Sequence, residues 1–266
     1  MFYLKKLKMI IDSHCHLTYE PMSNDLHETI KRARKDGVEY MLTISTEDKS
    51  FNKILEIVRA HKCVYGTYGI HPHEAKSHQN ISSADITNKL NQNNKIIGIG
   101  ESGLDFYYNH SEKKHQIKCF EEHIYAAQEN KLPLIVHTRS AEKETYEILR
   151  KHLKIKNFKF LIHCFTGSRE FAFKLIELGA YISASGVVTF KKSKDLANTF
   201  KDIPNKKILV ETDAPYLSPV PLRGKPNEPS YIVHTVKFLS ELKNLSFDEF
   251  SMITSKNFLN LFGKLN

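Results

Sequence analysis

Short apolar runs rich in Val, Ile and Leu alternate along the chain with longer segments whose apolar residues recur at helical spacing. Eight of these runs have the length and composition of buried strands, at residues 9–12, 40–44, 64–69, 95–100, 132–137, 158–163, 180–184 and 207–212. The intervals between them match one strand plus one helix with its loops. Because eight such units in series favour a closed barrel over an open sheet, the pattern predicts an α/β fold, a TIM-type (β/α)8 barrel.

The segments between the runs carry helix start and stop signals. Residues 23–36 have a polar start, apolar positions at helical spacing and a glycine, Gly37, at the end. Residues 112–130 and 168–178 have the same pattern. A further helix predicted over residues 246–262 lies beyond the eighth unit, and we expect it to pack against the outside of the barrel.

No flexible linker, low-complexity stretch or charge block divides the sequence. We therefore predict a single domain over residues 9–266, preceded by a short N-terminal extension at residues 1–8. This segment has charges but neither the apolar core nor the cleavage site of a secretory signal. No apolar run approaches the roughly 20 residues that cross a bilayer. We expect a cytoplasmic protein that has no membrane contact and works as a monomer.

Composition adds two indications about partners and redox state. The four cysteines are scattered without a CxxC pair, so we interpret them as small buried residues rather than a disulfide framework. The formal net charge is +9, which favours polyanionic partners because Lys and Arg side chains release the counterions condensed on phosphates. Charge alone leaves the substrate open, since many basic proteins bind no nucleic acid.

Histidine or carboxylate side chains stand at the carboxyl ends of five predicted strands. His14 and His16 follow the first strand, and residues two apart on an extended chain face the same side, so both imidazoles can converge on one ion. The other strand ends carry Glu101, His137, His163 and Asp213. The βα loops of a barrel converge at this end. The shared pattern therefore indicates an active site rather than unrelated core histidines.

These six side chains suffice for two divalent ions if one carboxylate bridges them. We expect Glu101 to bridge, with the remaining ligands in two sets: His14, His16 and Asp213 for one ion, His137 and His163 for the other. Two ions about 3.5–4 Å apart lower the pKa of a shared water and stabilise the attacking and leaving oxygens. Glu101 and Asp213 are the predicted catalytic residues, since Asp213 also offers an oxygen for the proton of that water. Glu211 faces the same side as Asp213 and either supports the ligands or stabilises the fold.

Seven sequence blocks make this hypothesis specific: DSHCH at 12–16, GIHPH at 69–73, GESGLDFY at 100–107, VHTR at 136–139, HCFTG at 163–167, ETDAPYL at 211–217 and RGKPNEP at 223–229. In this order, over nearly the whole chain, they resemble the TatD-related deoxyribonucleases, metal-dependent barrel enzymes of the wider amidohydrolase group. The resemblance implies hydrolysis of phosphodiester bonds in DNA, as a 3′–5′ exonuclease on single strands. It implies two divalent ions, with Mg, Zn or Mn open, on the six residues above. Ser102 departs from the branched apolar residue usual after the bridging Glu, which affects packing behind Glu101 and leaves the ligand intact.

Three residues are predicted to bind substrate. The resemblance favours His71, on the third βα loop. Arg139 lies two residues past His137 and can fork onto a phosphate, with a salt bridge to a helix as the alternative. Arg223 lies in a Pro- and Gly-rich loop after the eighth strand, where barrels often bind phosphate, and residues 227–229 are expected to shape that loop.

Three aromatic residues after the fourth strand are expected either to stack on bases or to form an apolar lid: Phe106, Tyr107 and Tyr108. The remaining histidines, interpreted as surface residues, are His27, His61, His78, His110, His115, His123, His152 and His234.

The alternative function is an amidohydrolase-type enzyme that cleaves a C–N or ester bond, for example in aminoacyl-tRNA. Such relatives often bridge their metals with a carboxylated lysine. The fourth strand offers Glu101 instead, and its lysine, Lys95, is at the opposite end, which favours the nuclease. A non-catalytic nucleic-acid binder is the third hypothesis, and it would be marked by the loss of ligands, whereas all six are present.

Overall fold

The computed structural model of the protein describes residues 9–108, 110–263 and 265. The predicted N-terminal extension, residues 1–8, lies outside this part of the chain. Within it, parallel strands pair side by side in the order of the sequence. The strands are β1 Ile10–Cys15, β2 Val38–Thr43, β3 Val64–Tyr68, β4 Ile96–Asp105, β5 Leu134–Arg139, β6 Phe160–Ile162, β7 Tyr181–Ala184 and β8 Ile208–Val210. The predicted (β/α)8 barrel, formed as one domain, is confirmed.

Helices follow the strands and surround the barrel, as the apolar spacing of the intervening segments predicts. They are α1 Leu26–Lys35, α2 Phe51–Ala60, α3 Ser83–Leu90, α4 Lys113–Asn130, α5 Glu142–Ile155, α6 Arg169–Glu177, α7 Lys194–Asp202, α8 Ile232–Leu242 and the additional α9 Phe247–Phe262. Across the described ranges, none of these helices combines the length and apolarity needed to cross a bilayer.

The seam between β1 and β8 is closed near the carboxyl ends of the two strands. An isolated parallel bridge joins Cys15 to Ala214. On either side of it, the amide of Asp213 donates to the carbonyl of His14 at 2.9 Å, and the amide of His16 donates to the carbonyl of Ala214 at 2.8 Å. The backbone bonds that close the barrel therefore also fix His14, in β1, and His16, just after β1, relative to Asp213, which follows β8.

Strand β4 extends further than the apolar pattern predicts, because its carboxyl half continues to pair with β5. The pairing runs to Asp105 opposite Arg139 and includes Gly103 opposite His137. Gly103 has a φ of +148°, and a side chain there would overlap the carbonyl oxygen of His137. A glycine is therefore required for the close approach of the two strands. As a result Glu101 lies within β4, on rigid backbone, instead of in the loop that follows.

The amino-terminal half of the barrel interior is filled by apolar side chains from several strands: Ile11, Leu42, Tyr65, Ile135, Leu161 and Leu209. Phe258, Leu261 and Phe262 of α9 pack into the same cluster. The amide of Asn257 donates to the carbonyl of Ile208, at the start of β8, at 2.8 Å. The predicted C-terminal helix is confirmed, but it closes the amino-terminal mouth of the barrel instead of lying on the outer ring. Its apolar face is complementary to an interior that would otherwise open to water.

We predict that Phe258→Ala lowers the free energy of unfolding by about 3–5 kcal/mol, because it leaves a cavity where the barrel interior meets α9. Met252→Ala on the same helix is the matched control, since Met252 is 43% exposed and its truncation is expected to cost less than about 0.5 kcal/mol. Urea unfolding monitored by circular dichroism measures both. Equal midpoints for the two variants would contradict the position assigned to α9.

Candidate metal centre

A cavity of about 710 Å³ opens at the carboxyl ends of the strands, and residues that end or follow all eight strands line it. Among the predicted site residues, the lining contains His16, His71, Glu101, His137, Arg139, His163 and Asp213. His14 lies beneath His16 and is fully buried. The convergence of βα loops thus brings together residues from the two ends of the chain, such as His16 and Asp213, as the strand-end pattern predicts.

One group of donor atoms comes from β1 and from the segment after β8. The Nε2 atoms of His14 and His16 are 3.3 Å apart. Asp213 Oδ1 lies 3.6 Å from the first nitrogen and 3.3 Å from the second. Glu101 Oε1 lies 3.8 Å and 3.7 Å from the same two nitrogens. Four donor atoms therefore surround one point.

A second group of donor atoms faces the other oxygen of Glu101. His163 Nε2 lies 2.7 Å from Glu101 Oε2, and His137 Nδ1 lies 3.6 Å from it. The two nitrogens are 3.0 Å apart. Each carboxylate oxygen of Glu101 thus belongs to a different group, which is the arrangement expected of a bridging carboxylate.

The donor set fits divalent metal ions. Glu101 is 3% exposed, and the 2.7 Å contact of its Oε2 atom with His163 Nε2 lacks the geometry of a hydrogen bond within the described chain. Burial alone would raise the pKa of Glu101, but His163 and His14 hold that pKa well below its usual range. Imidazole nitrogens and carboxylate oxygens at these spacings are the ligands that divalent transition metals prefer. Burying an ionised carboxylate among four imidazoles is costly unless the donor atoms share cations, so metal ions are the natural partners.

Asp105 supports the ring of His137 from behind. Its Oδ2 atom is 3.5 Å from His137 Nε2 and 2.9 Å from His73 Nε2. Its Oδ1 atom accepts the backbone amides of Tyr107 and Tyr108 at 2.9 Å and 3.1 Å. The sequence analysis assigned no role to Asp105. An available signal was its position four residues after Glu101, which on an extended strand is the same face.

Glu211 supports His163 in the same manner. Its Oε1 atom is 3.6 Å from His163 Nδ1 and accepts the backbone amide of Cys164 at 2.6 Å. The side chain is fully buried, and burial raises its pKa against the opposing influence of His163. The structure therefore places Glu211 behind a predicted ligand, which agrees with the first of the two roles left open by the sequence, support of the ligands rather than of the fold alone.

Asp12 ties the ends of β1 and β8 together beneath the site. Its Oδ1 atom accepts the amides of His14 at 3.2 Å and Thr212 at 3.0 Å, and its Oδ2 atom accepts the Thr212 hydroxyl at 2.6 Å. Burial raises the pKa of Asp12 to about 7. Asp12 thus holds the backbone on both sides of the seam, and the sequence analysis gave it no role of its own.

The family described as "TatD related DNase" matches residues 11–263. The chain belongs to the TatD family of metal-dependent hydrolases. It is 40% identical over 256 residues to a protein of Buchnera aphidicola named "uncharacterized metal-dependent hydrolase", covering 95% of this chain and 96% of that protein. It is 36% identical to the metal-dependent hydrolase YabD of Bacillus subtilis, covering 96% and 99% of the two chains. The crystal structure of the TatD homologue YjjV of Escherichia coli superposes with a TM-score of 0.90 at 26% identity, covering 97% and 99%.

In this TatD-family chain, two of the three predicted substrate contacts reach the cavity. His71 accepts the amide of His73 on Nδ1 at 3.2 Å, and its ring centroid is 4.5 Å from that of His137. A donor atom of His71 also lies within 4.8 Å of donor atoms of Glu101 and His137. Arg139 lines the cavity wall, and no ion pair joins it to a carboxylate in the described ranges, so the alternative of a salt bridge to a helix is wrong.

The third predicted contact, Arg223, does not line the cavity. Its guanidinium lies 3.8 Å from the ring centroid of Phe190, on the loop after β7. The loop around Arg223 is instead shaped by Asn227, whose side-chain amide donates to the carbonyls of Thr212 at 2.9 Å and Tyr216 at 2.6 Å. This agrees with the structural role expected for residues 227–229. Sequence spacing could not show that the loop turns Arg223 away from the cavity.

Exposed tyrosines stand on opposite sides of the cavity mouth. Tyr107 is 60% exposed and Tyr108 is 49% exposed, and the guanidinium of Arg139 lies 4.3 Å and 4.6 Å from their ring centroids. Tyr216, which is 53% exposed, stands across the mouth beside Tyr19, with ring centroids 6.4 Å apart. Rings this exposed do not form a closed apolar lid. The guanidinium of Arg139 covers one face of Tyr107 and of Tyr108, and the ring of His110 stacks on Tyr108.

Two histidines interpreted as surface residues are fully buried, so that interpretation is wrong for His123 and His152. His123, on α4, donates from Nδ1 to the carbonyl of Cys119 at 2.7 Å and accepts the amide of Ile70 on Nε2 at 3.0 Å. It therefore fixes the backbone immediately before His71. The position of His123 on the inward face of α4 is the feature of the sequence that indicates its burial.

His123 generates a prediction about acid stability. Burial lowers its pKa from the ordinary value near 6.5 to about 4, so the unfolded chain takes up a proton between pH 6.5 and 4 that the folded chain does not. The free energy of unfolding should therefore fall as the pH drops through this window, by about 3 kcal/mol from His123 alone. Urea unfolding of wild type and His123→Gln at pH 7, 6, 5 and 4 measures it. The variant should start less stable and lose less stability on acidification, whereas parallel pH profiles would contradict the assignment.

Proposed function

We propose that the protein is a metal-dependent deoxyribonuclease that hydrolyses phosphodiester bonds in DNA, acting as a 3′–5′ exonuclease on single strands. The observation that carries the proposal is Glu101, whose two oxygens face two separate groups of ligand atoms beneath a cavity that contains Arg139. Membership of the TatD family, whose description is "TatD related DNase", supports the same substrate class. The cytoplasmic location and the monomeric state remain predictions from the sequence.

We propose two divalent ions as cofactors, with Mg, Zn or Mn as candidates. His14, His16 and Asp213 would hold one ion, His137 and His163 the other, and Glu101 would bridge them. When bound, the ions would polarise the scissile phosphate and lower the pKa of the attacking water. The mixture of nitrogen and oxygen ligands favours Zn or Mn, whereas Mg prefers oxygen ligands and retains its own waters.

The side chains around the ions would have separate roles in the reaction. Asp213 points Oδ1 at the His14 and His16 nitrogens, which leaves its second oxygen to accept the proton of the attacking water. Glu101 stays ionised in the folded protein and fixes the spacing of the two ligand groups. Asp105 and Glu211 hold the rings of His137 and His163 in the orientation that presents one nitrogen to the site.

Substrate binding is assigned to the rim of the cavity. His71 and Arg139 would contact the phosphate, the latter with the planar guanidinium that matches phosphate oxygens. Tyr107, Tyr108 and Tyr216 would stack on bases, which favours a single strand because its bases are free to leave their partners. The exposure of these rings supports this role.

A hydrolase of C–N or ester bonds, for example of aminoacyl-tRNA, is the competing proposal. Many such barrel enzymes bridge their metals with a carboxylated lysine. Here Lys95 lies just before β4 at the far end of the barrel, and its ammonium donates to the carbonyls of Val58 and His61, both at 2.7 Å. The nuclease is therefore favoured, and the ester or amide substrate becomes an outcome of the test below.

We predict that Glu101→Ala abolishes hydrolysis and reduces bound metal, because it removes the ligand common to both groups. Metal-stripped protein is given Mg, Mn or Zn separately and assayed on a 5′-labelled single-stranded oligonucleotide, with metal content measured by mass spectrometry. Glu56→Ala, which removes an exposed carboxylate on α2, is the matched control and should behave as wild type.

Stepwise shortening from the 3′ end by wild type and the control, but not by Glu101→Ala, supports the proposal and identifies the ion. If Glu101→Ala retained turnover, Glu101 could not be the residue that bridges the two ions. Absence of cleavage by wild-type protein that holds two ions would replace the nuclease with the amide or ester hydrolase.

We predict that Arg139→Ala raises KM for the oligonucleotide by about 10-fold or more, since a charge-assisted bond to phosphate contributes about 1.5–3 kcal/mol. Metal content should not change, because the guanidinium contacts tyrosine rings and no donor atom of the metal centre. Arg150→Ala is the control, since Arg150 also lies over a tyrosine ring but on the outer helix α5. Loss of metal from Arg139→Ala alone would show that Arg139 supports the metal centre instead.

A further inference from the structure

The loops after β7 and β8 pack together into one unit, which we call the β7–β8 platform and define as residues 185–194 and 214–227. A side chain at Gly186 would overlap the carbonyl oxygen of Leu217, so glycine allows the two loops to touch. The amide of Val220 donates to the hydroxyl of Thr189 at 2.9 Å. With Arg223 lying against Phe190, three separate contacts join the loops, and their surface is held in one arrangement.

The outer surface of the β7–β8 platform is uniformly basic. Its charged side chains, all exposed, are Lys191, Lys192, Lys194, Arg223 and Lys225. Neither segment contains an aspartate or glutamate, although three acidic residues directly adjoin the segments. Asp195 is in the first turn of α7, Asp213 faces the histidines of the metal centre, and Glu228 is paired with Arg32. No carboxylate forms an ion pair with these five side chains in the described part of the protein. The platform is therefore an uncompensated patch of positive charge, unlike the paired lysines and arginines of helices α1, α5 and α6.

This patch is continuous with the catalytic cavity. Val187 and Leu217, from the two loops of the platform, line the cavity wall. The opposite wall, after β2 and β3, contains Glu47 and Glu74. In a barrel whose strands follow the sequence order, β3 lies across from β7. The mouth of the cavity is therefore negative on one side and leads onto positive charge on the other.

We propose that the β7–β8 platform binds the sugar–phosphate backbone of the nucleic-acid strand outside the cavity, with the terminal nucleotide of that strand in the cavity. This inference rests on the proposed nuclease function and adds where the rest of the substrate lies. Lysines on an exposed surface neutralise phosphates without reading bases, so the platform contributes affinity that is independent of sequence. Glu47 and Glu74 repel a phosphate chain that continues beyond the cavity, so a strand end is accommodated there and a strand interior is disfavoured.

The test compares the metal-loaded enzyme on single strands of 20 and 4 nucleotides, since the shorter strand leaves little backbone to reach the platform. The variant carries Lys191→Gln, Lys192→Gln and Lys194→Gln. A matched control carries Lys62→Gln, Lys156→Gln and Lys206→Gln, three exposed lysines at the opposite, amino-terminal end of the barrel. Both variants lose the same net charge. Measured quantities are kcat/KM for each length and its dependence on salt concentration.

We expect wild type and control to cleave the longer strand with the higher kcat/KM. In the platform variant, the ratio of kcat/KM for the longer strand to kcat/KM for the shorter strand should fall by about 10-fold or more. The slope of log kcat/KM against log salt on the longer strand should fall by about 2, since each phosphate contact on a single strand contributes about 0.7. A triple Lys→Arg variant at the platform should retain the preference, which separates charge from damage to the loops.

Equal length preference in the platform variant and wild type would overturn the inference while leaving the nuclease proposal intact. The same is true if the control loses the preference equally, because net charge would then be the cause. Failure of wild type to cleave either strand with any metal would instead reject the nuclease proposal, and this inference with it.

Discussion

A buried carboxylate placed between two groups of imidazoles is the constraint on which the site depends. Isolated in a protein interior, the ionised side chain of Glu101 would cost several kcal/mol, and the imidazole nitrogens beside it lie in two pairs only 3.0 Å and 3.3 Å apart. The arrangement becomes favourable when cations bind to the lone pairs of the Glu101 oxygens and of these imidazole nitrogens. Every neighbouring feature acts on that geometry. The extension of β4 puts Glu101 on rigid backbone, the hydrogen bonds of Asp12 fix the ends of β1 and β8, and Asp105 and Glu211 turn the rings of His137 and His163.

The barrel permits so polar a centre because its two halves are filled differently. Six strands contribute apolar side chains to the amino-terminal half, and α9 closes that end with Phe258 and Phe262. The apolar area removed from water there stabilises the barrel and offsets the cost of assembling charged groups at the other end. Stability and chemistry are thus separated along the barrel axis, which is why residues of the cavity rim can vary without loss of the fold.

The sequence was sufficient for the parts of the structure that follow local rules. Period-two alternation on β1 and apolar runs ending in polar residues led to six predicted ligands, and these six lie together because strand ends of a parallel barrel meet at one edge. What it missed depends on distant contacts. Asp105 lies on β4 only because that strand continues to pair with β5, and His123 is buried because Ile70 lies against α4. The turn that carries Arg223 onto Phe190 is set by packing between two loops, for which no sequence period exists.

Metal centres built from histidine and carboxylate hydrolyse amides, esters and phosphodiesters alike, so the ligands do not choose the substrate. The choice falls to the surface around them. Arg139 held over Tyr107 and Tyr108 presents a planar cation beside exposed rings, a combination that suits a phosphate flanked by bases more than an amide. The formal charge of +9 carries little information as a total, since it does not show where on the surface the basic side chains lie. The distribution of the charged side chains over the surface carries more information. Unpaired positive charge adjoins the cavity on the β7 and β8 side and acidic side chains line the β2 and β3 side, an asymmetry that would orient the proposed polyanionic substrate as it approaches the metal centre.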